Sequence, residues 1–106
     1  MNSTTYQIVR EAIQNKLHVL GTYNGYVREM CPHTIGISKK GEEQALFYQF
    51  AGESSTGLGP TGDPNNWRCI PLRRLLNVTT RAGAWHTAPN HSRPQTCVAD
   101  VDLETN

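Results

Sequence analysis

The sequence predicts a mainly β, α+β domain: an N-terminal helix packed on a small, strongly bent, five-stranded β-barrel. Three observations predict it. One amphipathic helical stripe lies near the N-terminus, short apolar segments with strand character follow, and Gly- and Pro-rich turns separate them. The 106 residues suit one domain with one core, and nine Gly, six Pro and an apolar fraction of 37% make that core modest.

The helix is read over residues 4–16. Thr4 and Gln7 have the spacing of a capping box, and Tyr6, Val9, Ile13 and Leu17 recur at helical intervals beside Ile8 and Ala12. Such a stripe needs a partner, so the helix is expected to lie on the sheet. Residues 17–23 read as a strand with Leu17, Val19 and Tyr23 on one side. Asn24-Gly25 is a strong hairpin signal, because both residues tolerate positive φ. The next strand spans 26–31; Pro32 is expected to interrupt pairing and bend the chain before it continues over 34–38. Residues 44–50 return as a strand rich in Leu, Phe and Tyr. Residues 51–66 form a long Gly- and Pro-rich loop of the kind that carries function or stays disordered. Residues 67–71 give a fourth strand. Residues 72–80 give a turn or short helical step and a last strand through Leu76 and Val78. This helix-plus-barrel domain is placed at 1–81. Residues 82–106 read as a partly ordered C-terminal tail anchored by Trp85, Val98, Val101 and Leu103.

Charge and cysteine content restrict the function classes. Net charge is +1, with nine Lys and Arg against six Asp and Glu in residues 1–81, and one Arg against three acids in 82–106. A body at +3 is too weakly basic for tight nonspecific binding to duplex DNA, yet it permits a local anion site. No apolar run is long enough to span a membrane, and the N-terminus lacks signal-peptide character, so the expectation is a cytoplasmic protein with no membrane partner. Cys31, Cys69 and Cys97 are odd in number and lack CxxC spacing. They read as free thiols in a reducing compartment, not as a disulfide framework or zinc site.

The segment from Ala12 to Val78 resembles the WYL domain, an Sm-like or SH3-like barrel of bacterial regulators and defence-linked proteins. The resemblance rests on the helix ending in AIQNK, a strand with Tyr23, the segment VREMCP at 27–32, and Arg68, Ile70, Leu72, Arg74, Leu75 and Val78 in the closing region. A group of short stand-alone bacterial proteins is more closely similar. They share the pattern that Tyr23, Gly25, Arg28, Pro32, His33, Gly36, Tyr48, Gln49, Gly52, Ser54 and Trp67 make in this chain. The Trp-Tyr-Leu tripeptide that names the family is absent; Glu43-Gln44-Ala45 stands near its place. No helix-turn-helix segment precedes the domain, so a complete WYL-type transcription factor is not expected. The resemblance implies sensing of nucleotides or nucleic acid through a polar, Arg-containing barrel face.

The residues themselves add candidates for that role. Arg28, if it shares a face with Tyr26 and Met30, is placed to fork onto a phosphate or carboxylate; otherwise it is a surface arginine paired with Glu29 or Glu43. Arg68 and Arg74, with Arg73, make the densest positive region, which reads either as a phosphate site or as a solvated edge that discourages strand aggregation. Trp67 and Tyr48 are candidate stacking surfaces, or else core. Gln49 and Ser54 offer polar groups at the mouth of the long loop. His33, held by Pro32, is positioned to join an anion site if charged.

The expected function is therefore a non-enzymatic module for a nucleotide, a nucleotide-derived signal or short single-stranded nucleic acid. It would use Arg28, His33, Tyr48, Gln49, Ser54, Trp67, Arg68 and Arg74. The alternative is a protein-interaction or assembly module forming a dimer or ring through edge strands. A small RNA hydrolase using His33 with an arginine is a third reading. No nucleophile motif, metal-ligand spacing or cofactor signature occurs, so no catalytic residue, metal or cofactor is expected.

Overall fold

The computed structural model describes residues 3–53, 57–59, 66–87 and 97–105. Helix α1 (Thr4–Asn15) is followed by β1 (His18–Tyr23), β2 (Tyr26–Ile37), β3 (Glu43–Gly52) and β4 (Trp67–Pro71). A 3₁₀ turn (Leu72–Arg74) then leads to β5 (Leu76–Arg81), and β6 (Asp100–Glu104) is the last strand. The strands form one antiparallel sheet of six, in the order β4-β3-β2-β1-β5, with β6 also paired to β2. The architecture is mainly β with one helix, as expected. The sixth strand comes from the C-terminal segment, which was expected only as a tail.

The local signals act as their chemistry dictates. Tyr6, Val9, Ala12 and Ile13 of α1 are buried against Val19, Met30, Ile35, Ala45, Phe47, Ile70, Leu72 and Leu75. Each fully buried aliphatic side chain contributes about 1.5–3 kcal/mol, so this stripe holds α1 to the inner face of the sheet. The cap sits one residue earlier than the Thr4–Gln7 pair suggested. Ser3 is extended, and its Oγ accepts from the Tyr6 N–H at 3.1 Å. The Glu43 carboxylate in turn accepts from the Ser3 amide and hydroxyl, fixing the start of α1 to β3. Asn24 (φ 54°) and Gly25 (φ 80°) form the tight β1–β2 turn and bring Tyr23 opposite Tyr26.

Pro32 does not interrupt β2. The strand runs through it because the β2–β3 register slips just there: Pro32 faces Phe47, Thr34 faces Leu46, and His33 is the extra residue. A bulge absorbs the ladder bond that proline cannot make. A second slip lies between Glu29↔Ala51 and Met30↔Gln49, and leaves Phe50 as the extra residue on β3. Bulges of this kind increase local twist in a sheet.

The C-terminal segment is built into the body. Residues 34–37 of β2 pair with β6, the Tyr6 hydroxyl donates to Asp102 at 2.7 Å, and Arg10 forms an ion pair with the same carboxylate at 2.9 Å. Those two hydrogen bonds hold the Asp102 carboxyl below its usual pKa. Cys69 and Cys97 form a disulfide across a sequence separation of 28, with Cα atoms 5.6 Å apart. The free-thiol expectation therefore holds for Cys31, which is buried, and is corrected for the other two. Spacing along the chain carried no trace of a pairing created by the return of the C-terminal segment to β4.

Gly36 marks the closest approach of this segment. A Cβ there would lie 2.0 Å from the Asp100 carbonyl oxygen and 2.7 Å from Val98 Cγ1. Gly36→Ala is therefore expected to destabilise the protein by about 1–3 kcal/mol. Amide exchange should show the damage first in residues 98–104; an unchanged melting temperature would contradict this account of the contact.

Candidate functional site

Strand alternation divides the sheet into two chemically different faces. On the inner face, Met30, Phe47 and Ile70 belong to the core. One step of alternation toward the β1–β2 turn replaces them with Arg28 on β2, Gln49 on β3 and Arg68 on β4. The inner face thus passes from apolar to cationic along its own length, and Tyr23 and Tyr26 stand at its end.

Arg28 is the centre of this region, and it is only 2% exposed. Its Nε donates to the Tyr23 carbonyl at 3.3 Å and its Nη1 to Gln49 Oε1 at 3.1 Å. The guanidinium lies over the Tyr23 ring at 5.1 Å and near the Tyr26 ring at 5.8 Å, both within cation–π reach. Gln49 is locked in this role. Its Nε2 donates to the Ala51 carbonyl at 3.1 Å and the Glu53 carbonyl at 2.9 Å, which leaves Oε1 to face Arg28. Among the described residues, no carboxylate forms an ion pair with Arg28; Arg10, Arg73 and Arg81 take Asp102, Glu42 and Glu29. Burial lowers the Arg28 pKa, the nearby Arg68 charge lowers it further, and Tyr23 and Tyr26 oppose the shift. A guanidinium nonetheless stays protonated, so the region keeps its positive charge.

Arg68 borders this centre. Its Nη1 donates to the Trp67 carbonyl at 3.1 Å and its Nη2 to the Gly57 carbonyl at 3.3 Å, and burial lowers its pKa while Tyr48 opposes the shift. Arg74, just before β5, donates to Asn24 Oδ1 at 2.9 Å and lies 5.7 Å from the Tyr23 ring centroid. Tyr23 therefore sits in reach of both Arg28 and Arg74. The basic edge expected around Arg73 divides, because Arg73 turns to Glu42 at 3.4 Å.

The outer face is aromatic and histidine-rich. Tyr48 and Trp67 are cross-strand partners with ring centroids 5.1 Å apart. His33 meets Trp67 at 4.8 Å and Trp85 at 5.0 Å, and hydrogen-bonds the Cys31 carbonyl at 2.9 Å and Thr87 Oγ1 at 3.2 Å. Phe50 stacks on His86 at 4.2 Å and packs on His18 at 4.5 Å. Residues 82–87 cross this face: the Ala84 carbonyl accepts from His18 Nε2 at 2.6 Å, and the His86 N–H donates to Cys31 Sγ at 3.3 Å. Burial pushes the Cys31 thiol up to about 11.

Of the eight candidate residues, Arg28, Gln49 and Arg68 share the inner face, and Arg74 joins them through Tyr23. His33, Tyr48 and Trp67 belong to the outer layer. The expectation that Trp67 stacks beside the arginines and that His33 joins their anion site is corrected: alternation turns both away, and the bulge at His33 packs its ring between two indoles. The pairing of Arg28 with Glu29 or Glu43 is also overturned, since Glu29 pairs with Arg81 and Glu43 caps α1. Ser54 lies outside the described residues. Tyr26 shares the face of Arg28 as alternation suggested, and the Tyr23-Asn24-Gly25-Tyr26 turn places both rings at the same corner as the guanidinium. Among the described residues, no group of His, Cys, Asp or Glu is arranged to hold a metal ion, and no helix is long and apolar enough to cross a membrane. No family model, curated protein or solved structure matches the chain.

Two outcomes test this division. If Arg28 exists to hold a ligand and not the fold, Arg28→Met retains ligand-free stability within about 1 kcal/mol by denaturant titration. If its hydrogen bonds to the Tyr23 carbonyl and Gln49 Oε1 hold the fold, the loss would instead be about 1–3 kcal/mol for each buried acceptor left unpaired. The His86 pKa lies below the ordinary histidine value, through burial first and the His18 charge second. The unfolded chain then binds the extra proton more readily, so stability is full above about pH 6.5 and falls as pH drops through the lowered folded-state value. His86→Phe, which keeps the ring on Phe50, should reduce that acid-side loss in pH-dependent melting.

Proposed function

We propose that the protein is a non-enzymatic binding module for a phosphate-bearing ligand: a nucleotide, a nucleotide-derived signal or a short single strand. The observation that carries this reading is a buried Arg28 with no carboxylate ion-paired to it among the described residues and a second guanidinium close by. A buried charge is costly unless something compensates it, and a bound oxyanion supplies two acceptors in the geometry a guanidinium favours. Arg28 and Arg68 hold the anion, and Arg74 closes on it from the β4–β5 side. Gln49 sets the Arg28 plane, and Tyr23 with Tyr26 replaces Trp67 as the aromatic wall. The outer layer of His33, Tyr48 and Trp67 supports the strands that carry these groups. The WYL-like resemblance and a closed Sm/SH3-like form of the sheet belong to the same proposal; the 3₁₀ turn joining the terminal strands β4 and β5 is compatible with such closure.

An assembly module is the second reading, favoured by one specific observation. Val27 and Leu76, each 57% exposed, flank Thr22 in a single cross-strand row that ends at the β5 edge. Association along β5 would cover this row. The cytoplasmic placement also remains part of the proposal, and the Cys69–Cys97 bond would then persist among mostly reduced thiols.

Thermal shift against mono-, di- and cyclic nucleotides and short oligonucleotides tests the binding reading. A ligand at about 100 times its Kd should stabilise the protein by about 2.7 kcal/mol. Arg28→Lys and Arg74→Ala are each expected to weaken that ligand by about tenfold or more and to reduce its salt dependence, consistent with the loss of charge-assisted contacts worth about 1.5–3 kcal/mol. Trp67→Phe should leave affinity nearly unchanged. Equal affinity in the two arginine variants would remove the site, and a discrete oligomer without any ligand shift would favour assembly.

A further inference from the structure

The Cys69–Cys97 bond joins a sheet edge to a segment that has little else to bury. Cys69 is exposed on β4, opposite Leu46, whereas Cys97 is partly buried at the start of the run into β6. Between residues 97 and 105, Val98 is the buried apolar side chain and Leu103 is half-buried; Val101 faces solvent. The remaining attachments are polar. The Ala99 N–H donates to the Ile37 carbonyl at 3.1 Å, the Thr105 N–H to the His33 carbonyl at 2.8 Å, and Thr34 Oγ1 to Glu104 at 2.8 Å. Asp102 adds contacts to Tyr6 and Arg10, and Leu103 packs on the core, but these lie in β6; at residue 97 the crosslink is what ties the start of the segment to β4.

The sulfurs are also placed for exchange. Gln44 Nε2 donates to Cys69 Sγ at 3.1 Å and to the Cys97 carbonyl at 2.7 Å, and lies 3.7 Å from Cys97 Sγ. The contact to Cys97 Sγ places a donor beside the sulfur that leaves when Cys69 is attacked, and the shorter one holds Cys69 Sγ in place. Cys31 takes no part: it is buried on the outer face beneath His86.

We propose that Cys69–Cys97 is a reversible redox latch that fastens the C-terminal segment to the sheet and is opened by a dithiol reductant. A thiolate of the reductant attacks the exposed Cys69 Sγ. The S–S bond breaks, and its electron pair leaves on Cys97 Sγ, which takes up a proton. The second thiol of the reductant then attacks the mixed disulfide, releases Cys69 as a thiol and closes the reductant's own disulfide. Two electrons and two protons pass from reductant to protein, and an oxidised dithiol reverses the sequence. Opening loosens β6 from residues 34–37 of β2, lets Val98 leave the notch at Gly36, and uncovers a strand edge that the oxidised protein keeps paired.

Hydrogen exchange by mass spectrometry on the full chain tests this, in buffer with reduced or oxidised dithiothreitol and no denaturant. Reduction should add two hydrogens to the intact mass. Amides of residues 98–105 should then exchange about tenfold faster or more, while β2–β3 amides of the core hold their rates, because those strands lie outside the loop that the crosslink closes. The Cys69→Ser, Cys97→Ser double variant should reproduce the reduced pattern, and reoxidation of the wild type should restore the slow one. The latch is overturned if the bond yields only in denaturant, if exchange of 98–105 is the same in both states, or if air-oxidised protein retains Cys69 and Cys97 as thiols.

Discussion

The pairing of β2 with three other strands places everything else in the molecule. β3 runs along one edge from Arg28 to Ile37, while β1 and β6 divide the other edge between them. Twelve residues of one strand therefore present Arg28 at one end, Met30 and Ile35 to the core, and a docking edge for the C-terminus at the other end. Had the strand stopped at Pro32, as proline in a central strand suggests, β6 would have no partner. The His33 bulge resolves that conflict between local chemistry and sheet continuity.

At the cationic end of the inner face, a buried guanidinium sits among neutral acceptors and aromatic rings, with no carboxylate ion-paired to it among the described residues. Gln49 spends both amide hydrogens on carbonyls and turns its oxygen to Arg28, which fixes the orientation of the guanidinium. Two neighbouring arginines repel each other in that setting, and the rings of Tyr23 and Tyr26 offset part of the charge. In the proposed binding role, such preorganisation would lower the cost of taking up an anion, because the donors would need no rearrangement.

What could be read from the sequence was what depends on near neighbours. The α1 stripe, the Asn24-Gly25 turn, the limits of β4 and the alternation of Arg28 with Tyr26 and Met30 all follow from spacings of a few residues. The helix cap was missed by one position because Ser3 and Thr4 are both competent caps, and Glu43, distant in sequence, selects Ser3. The assignment of Trp67 and His33 to the arginine face failed for a different reason. Trp67 and Arg68 are consecutive on β4, so alternation alone separates them, whereas the facing of His33 depends on a register slip between β2 and β3. β6 and the Cys69–Cys97 bond were hidden for the same cause: each joins residues that only the completed sheet brings together.

The two bulges act in opposite senses, and their offsets cancel. β2 carries one surplus residue at His33 and β3 one at Phe50, so the ladder between them returns to its original phase on either side. Only the stretch between Met30 and Pro32 runs one step out of phase. Loss of a residue from one strand alone would invert the side chains beyond it on that strand; in β2 it would put Thr34 or Gly36 in the core place of Ile35. Matched losses from both strands would preserve the two faces and straighten the sheet. Lineages of this fold should thus lengthen or shorten these two strands together, and a change in one strand alone should be far harder to accommodate than the same change in the 51–66 loop.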